Sequence, residues 1–177
     1  MNLITIILGT RPEAIKLAPL IKCFKKNSTI KTRVVVTGQH KEMVDQVFNS
    51  FQIKYDLNLE IMTVHQTLTD ITRKTLVNLE KEFAINKPSL VLVQGDTTTA
   101  FASALAAFYR KIPVGHIEAG LRTKSILEPF PEEMNRRLIT SISSINFAPT
   151  DKAVNNLKNF NASGQIYKTG NTVIDAA

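Results

Sequence analysis

Leu90-Val91-Leu92-Val93-Gln94-Gly95-Asp96-Thr97-Thr98-Thr99 runs from a short apolar segment through a glycine and an acid to a row of threonines. An alanine-rich stretch of helical length follows, and then Pro113-Val114-Gly115-His116-Ile117-Glu118-Ala119-Gly120-Leu121-Arg122 repeats the layout. An apolar run too short for a helix, a turn residue, and then a helical pattern together spell a buried strand feeding a helix. Repeated along the chain, that unit makes a parallel sheet covered by helices on both faces. Asp96 and Glu118 then fall just beyond the carboxyl ends of buried strands, which is the edge of an open parallel sheet where ligands bind.

Working outward, the expected strands are Leu3 to Leu8, Thr32 to Thr37, Leu90 to Gln94, Val114 to His116, Ile145 to Ala148 and Gln165 to Lys168, with a weaker one near Asp56 to Leu59. The first helix is expected at Thr10-Arg11-Pro12-Glu13, where a capping threonine, a proline in the first turn and an acid three residues on form a start signal. It continues to about Lys26. Further helices are expected over Lys41 to Phe51, Thr67 to Phe83 (with Asp70 completing a cap), Thr97 to Tyr109, Glu132 to Ile142 and Thr150 to Phe160. The fold class is therefore α/β, in one domain over residues 1–170. Residues 171–177 have the small, apolar character of a further helix start with no terminator, and are expected to open a connection to a second domain.

The chain has 177 residues, 44% of them hydrophobic and 21% charged, values typical of a globular domain with no disordered tract. Residues Met1 to Gly9 read as a buried strand and not as a leader, because the apolar run is too short for a membrane span. The single cysteine, Cys23, cannot form an intrachain disulfide and fits a reducing cytoplasm. In its helical pattern it reads as a small core residue. A net charge of +7 makes anionic partners plausible. The lysines are scattered through helices without interleaved aromatics, so no nucleic acid partner is expected.

Arg11 and Lys16 flank the first helix start, where backbone amides, the helix dipole and two cations favour a phosphate or diphosphate. The alternative is that both cations pair with surface acids. The turn is neither a Walker A loop nor a Gly-x-Gly-x-x-Gly fingerprint. Asp96 is open to two readings, a ligand contact or a cap for the helix that follows it. Glu118, between His116 and Gly120, has less obvious structural work. Glu132 and Glu133 follow Pro129-Phe130-Pro131, and one of the two serves the helix dipole. If Asp96, Glu118 and one of that pair share a cleft, mutual repulsion raises at least one pKa, which gives an acid and a base side by side. His40, after Gly38 and Gln39, reads as a ligand contact or an ordinary loop histidine. Histidine and cysteine are too few for a metal site, and no serine elbow or catalytic cysteine setting is present.

At these residues the sequence resembles the non-hydrolysing UDP-N-acetylglucosamine 2-epimerases. The matching segments are 9–16 (Gly-Thr-Arg-Pro-Glu-Ala-Ile-Lys), 39–43 (Gln-His-Lys-Glu-Met), 95–99, 115–122, 131–136 (Pro-Glu-Glu-Met-Asn-Arg) and 170–176 (Gly-Asn-Thr-Val-Ile-Asp-Ala), in family order along the whole chain. The resemblance implies a Rossmann-like domain like the N-terminal half of the B-type glycosyltransferase fold. It also implies an enzyme that interconverts UDP-N-acetylglucosamine and UDP-N-acetylmannosamine, by eliminating UDP to 2-acetamidoglucal and adding it back, in the synthesis of surface glycans. No cofactor and no metal is implied. By position Asp96, Glu118 and Glu132 match the family's catalytic acids and Arg11 and Lys16 its diphosphate-side residues. Gln39, His40 and Glu132 match an adjoining regulatory UDP-N-acetylglucosamine site. The chain has Gln94 where relatives often have histidine, and His65 where some have arginine. A homodimer is implied, as is a C-terminal domain supplying a catalytic histidine and most uridine contacts, so this chain alone is expected to have negligible activity. The alternative is a truncated sugar-nucleotide-binding or dimerisation domain without turnover.

Overall fold

The computed structural model describes residues 2–39 and 41–177. Seven strands form a single sheet: β1 (Asn2–Leu8), β2 (Ile30–Val36), β3 (Leu57–Asn58), β4 (Leu90–Gln94), β5 (Val114–Ile117), β6 (Ile145–Ala148) and β7 (Gln165–Lys168). Their spatial order is β3-β2-β1-β4-β5-β6-β7 and every pairing is parallel. Between them lie α1 (Arg11–Lys26), α2 (Lys41–Ser50), α3 (Leu68–Ile85), α4 (Thr98–Tyr109), α5 (Glu132–Ile142), α6 (Asp151–Asn159) and the short α7 (Val173–Ala176). The α/β parallel fold read from the sequence is the fold observed.

Alternation along the strands sorts the core into two layers, since successive side chains point to opposite faces. Ile6, Leu8, Val34 and Val36 pack with Ala14, Leu17, Ala18 and Ile21 of α1 and with Val44, Val47 and Phe48 of α2. Ile7, Val35, Val91 and Val93 pack on the other face with Leu79 and Phe83 of α3, the alanines of α4 and Ile139 of α5. Each fully buried Leu or Ile contributes on the order of 2 kcal/mol through the apolar area it removes from water. Because Ala100, Ala104 and Ala107 form the inner face of α4, that helix lies close on the sheet.

The strand order places a switch between β1 and β4. From β1 the chain moves outward through β2 to β3, then returns to β4 on the other side and moves outward again. Loops diverge at such a point, and the crevice they leave is the ligand-binding position of open parallel sheets. Cys23 departs from its expectation as a core residue and is exposed, because it lies on the solvent side of α1 while Leu17, Ala18 and Ile21 take the buried side. Among the described residues no helix is long and apolar enough to cross a membrane.

Candidate active site

Three loops converge at the switch: Gly9–Thr10 after β1, Gly95–Thr97 after β4, and the segment from Glu118 to Pro131 after β5. Glu118 sits in the left-handed region at φ +62, a conformation of sparse population for a residue with a Cβ and one concentrated at functional sites. Its carboxylate is held from three sides. Lys16 Nζ donates to Oε2 at 2.5 Å, Gln94 Nε2 donates to the same oxygen, and Asn171 Nδ2 donates to Oε1 at 3.0 Å. The side chain is only 12% exposed. Lys16 therefore pairs with the largely buried Glu118, and not with a surface acid as the alternative reading had it. Arg11, one turn earlier, is exposed.

Asp96 does not cap α4. Thr97 does, accepting the Ala100 amide at 3.0 Å. The Asp96 carboxylate instead accepts from Arg136 Nη2 at 2.6 Å, and its backbone carbonyl accepts from Asn135 Nδ2 at 2.8 Å. Burial pushes the Asp96 carboxyl above the ordinary aspartate range. Arg136 opposes that, while the charges of Glu132 and then Glu118 push it further up. The three acids therefore share one electrostatic neighbourhood, and burial outweighs their mutual repulsion in moving the pKa.

Glu132 and Glu133 divide sharply. Glu133 is fully buried, bonded to Arg137 Nε at 2.7 Å, Arg136 Nη1 at 3.2 Å and the Thr123 amide at 3.2 Å. It braces the long loop against α5, a larger task than the dipole role expected for one of the pair. Glu132 is partly exposed, and its Oε2 is buried without a hydrogen-bond partner. Glu132 is thus the acid of the pair whose carboxylate is not fully engaged within the chain.

His116 lies wholly buried in β5, and its Nε2 is 2.6 Å from the Gly95 carbonyl. That contact requires a proton on Nε2. Burial lowers its pKa to about 4. The histidine thus holds the backbone immediately before Asp96. Arg122 lies 5.0 Å over the Phe160 ring and donates to Thr140 Oγ1 at 3.0 Å, bracing α5 and α6. Gln39 accepts from Thr99 Oγ1 at 2.7 Å and lines a cavity of about 480 Å³ with Glu42, Met43, Asn58, Glu60 and Met62. His40 lies outside the described residues.

A family model described as UDP-N-acetylglucosamine 2-epimerase matches residues 22–177. This chain belongs to the UDP-N-acetylglucosamine 2-epimerase family. It is 53% identical over 171 residues to the UDP-N-acetylglucosamine 2-epimerase of Bacillus subtilis, covering 96% of this chain and 45% of that protein. The crystal structure of the Neisseria meningitidis UDP-GlcNAc 2-epimerase bound to UDP-GlcNAc superposes with a TM-score of 0.93 at 52% identity, covering 99% of this chain and 48% of that one. Acinetobacter baumannii MurG, at 14% identity and a TM-score of 0.62, shares the fold alone. The chain spans about half the length of the epimerase relatives it matches, and corresponds to their N-terminal half.

Sequence reasoning missed three residues of this candidate site. Arg136 and Asn171 reach Asp96 and Glu118 across 40 and 53 positions of sequence. Glu13 was read only as a cap, and it also bonds Thr97 of another loop at 2.7 Å. The signal for Asn171 was present in the Gly170-Asn171-Thr172 segment, an Asn beyond a strand end at the ligand edge. A buried acid in a first helical turn carries no comparable mark.

Proposed function

We propose that this chain is the acid-bearing N-terminal half of a non-hydrolysing UDP-N-acetylglucosamine 2-epimerase, acting on UDP-N-acetylglucosamine and UDP-N-acetylmannosamine through 2-acetamidoglucal. The observation that carries the reading is the convergence of Asp96, Glu118 and Glu132 at one sheet edge, with Lys16 bonded to Glu118.

In the forward step the C1–O bond to UDP breaks, the leaving oxygen keeps the electron pair, and a proton leaves C2 as the C1=C2 double bond forms. The C2 proton is barely acidic, so leaving-group departure leads. Arg11 and Lys16 offset the charge gathering on the diphosphate, and Glu118 faces the positive charge developing on the sugar ring. Return of the proton to the opposite face of C2, with UDP re-attacking C1, gives the epimer. Two proton carriers on two faces are required. Asp96, whose carboxyl burial favours the protonated form, and Glu132, with its unpartnered oxygen, suit an acid and a base.

The same proposal places a regulatory UDP-N-acetylglucosamine next to this site, contacted by Gln39, His40 and Glu132. It also has the C-terminal half, in cis or in trans, closing the edge against water. It includes a homodimer through the outer surface of the α3–α4–α5 layer, where Val77, Phe108, Met134 and Leu138 are exposed.

The test is proton NMR of UDP-N-acetylglucosamine in deuterated water. The 177-residue chain alone is expected to give no deuterium entry at C2. Joined to the C-terminal half of a relative it exchanges and interconverts, and Glu118→Gln reduces that rate by at least a hundredfold. Interconversion by the chain alone overturns the half-site reading. No exchange in the joined protein, with no UDP-induced shifts in either, overturns the enzyme reading in favour of a domain without turnover.

A further inference from the structure

Glu13 is 1% exposed in the first turn of α1. Its Oε2 accepts the Gly9 amide at 2.9 Å, the Thr10 amide at 2.7 Å and the Thr10 hydroxyl at 2.9 Å. Its Oε1 accepts the Thr97 hydroxyl at 2.7 Å. A capping box requires only the bond to the Thr10 amide. The others do two further things.

Backbone amides at a helix start are the usual seat of a phosphate. Here the Gly9 and Thr10 amides are taken by an internal carboxylate, and Pro12 has no amide to offer. The two loop amides that lead into α1 are therefore already taken, while Arg11 stands exposed beside them. The second consequence is a tie between loops. Glu13 belongs to the loop of Arg11 and Lys16, Thr97 to the loop of Asp96, and the two positions lie 84 residues apart. Burial raises the Glu13 pKa and its four hydrogen bonds oppose that rise. A buried acid with no cationic partner among its bonds is costly to keep for capping alone, which serine, threonine or aspartate achieves at the surface.

We infer that Glu13 is a positioning residue: its carboxylate fills the anion seat at the start of α1, leaves a substrate phosphate to the side chains of Arg11 and Lys16, and ties their loop to that of Asp96. This rests on the sugar-nucleotide reading above.

The test titrates the ¹⁵N-labelled 177-residue chain with inorganic pyrophosphate and then with UDP, in the unaltered protein, Glu13→Gln and Glu13→Ala. In the unaltered chain pyrophosphate is expected to move the Arg11 side-chain resonance and to leave the Gly9 and Thr10 amides unmoved and protected from exchange. Glu13→Ala frees those amides, so that both respond to pyrophosphate, with at least tenfold tighter binding, and the Asp96 and Thr97 amides shift before any ligand is added. Glu13→Gln keeps an oxygen in the seat and restores the unaltered pattern at Gly9 and Thr10, which a loss of stability alone would not do. Pyrophosphate shifts at Gly9 and Thr10 in the unaltered chain overturn the inference, and that arm stands even if Glu13→Ala does not fold. Protected Gly9 and Thr10 amides with no response to UDP, either in this chain or in the chain joined to a C-terminal half, would overturn the sugar-nucleotide reading while leaving the filled seat intact.

Discussion

His116 shows how much one side chain sets the behaviour of this site with pH. Its ring is neutral in the folded chain, with Nε2–H donated to the Gly95 carbonyl, and its pKa falls from 6.5 to about 4 because a buried imidazolium is disfavoured. Between those two values the unfolded chain binds the proton more readily than the folded one. Stability is thus fully present above pH 6.5 and is lost as pH falls towards 4. The displacement corresponds to about 3 kcal/mol over that window. Thermal melts of the 177-residue chain from pH 7 to pH 4 are expected to show this loss, and His116→Gln to remove most of it. Identical pH slopes in the two proteins would disprove the assignment. Asp96 runs in the opposite sense. Its folded pKa lies above the unfolded one, so it costs stability as pH rises through that interval and partly offsets the recovery contributed by His116. Asp96→Asn should therefore steepen the rise in melting temperature over the lower part of the same titration.

At the scale of elements, α6 depends on a single glycine. Gly120 adopts φ +90, and a Cβ there would lie 2.4 Å from the Ala153 carbonyl oxygen and 2.9 Å from Leu157 Cγ, both on α6. Backbone and side chain of the helix would both have to retreat. Strain at positive φ and overpacking together set the cost of Gly120→Ala at about 3 kcal/mol. That corresponds to a fall of roughly 6–12 °C in melting temperature for a chain of this size, and an unchanged melt would refute the contact. The elements themselves were largely legible. The strands β4, β6 and β7 coincide with their apolar runs, and the Thr67–Asp70 cap is formed as read, with Asp70 accepting the Thr67 amide at 3.0 Å. Strand β2 was placed two residues late at its start and one late at its end. Its first residues pair with β1 from Asn2 and Ile30 onward, and ladder bonds are indifferent to the polarity of Lys31 or Arg33. Asp96 and Glu118 were legible because strand ends announce themselves. The bonds of Glu13 to Thr97, Arg136 to Asp96 and Asn171 to Glu118 were not, because those pairs are remote in sequence and become neighbours only when the sheet forms. Cys23 was misread because the helical period admits two faces near it, and packing alone selects between them.

For the whole molecule, the distribution of apolar surface matters more than its amount. The α1–α2 face and the α3–α4–α5 face both cover the sheet, and the second also leaves Val77, Phe108, Met134 and Leu138 open to water on its outer side. Residues 134 and 138 lie one turn apart on α5, so both point along one stripe of that helix. An exposed apolar stripe of this kind suits the proposed two-fold contact, in which each copy offers the same patch to the other. Sedimentation equilibrium at tens of micromolar is accordingly expected to give the mass of two chains. Leu138→Glu would bury an unpaired carboxylate in that contact. It should weaken association by at least a hundredfold while leaving the monomer folded, since Leu138 is 38% exposed on a single chain and outside the buried core. Retention of UDP-induced amide shifts at Glu118 and Lys16 in that variant would separate the proposed dimer contact from the proposed sugar-nucleotide edge, which lies at the carboxyl ends of the strands and not on the outer surface of α5. A wild-type chain that sediments as a monomer would overturn the dimer and leave the edge untouched.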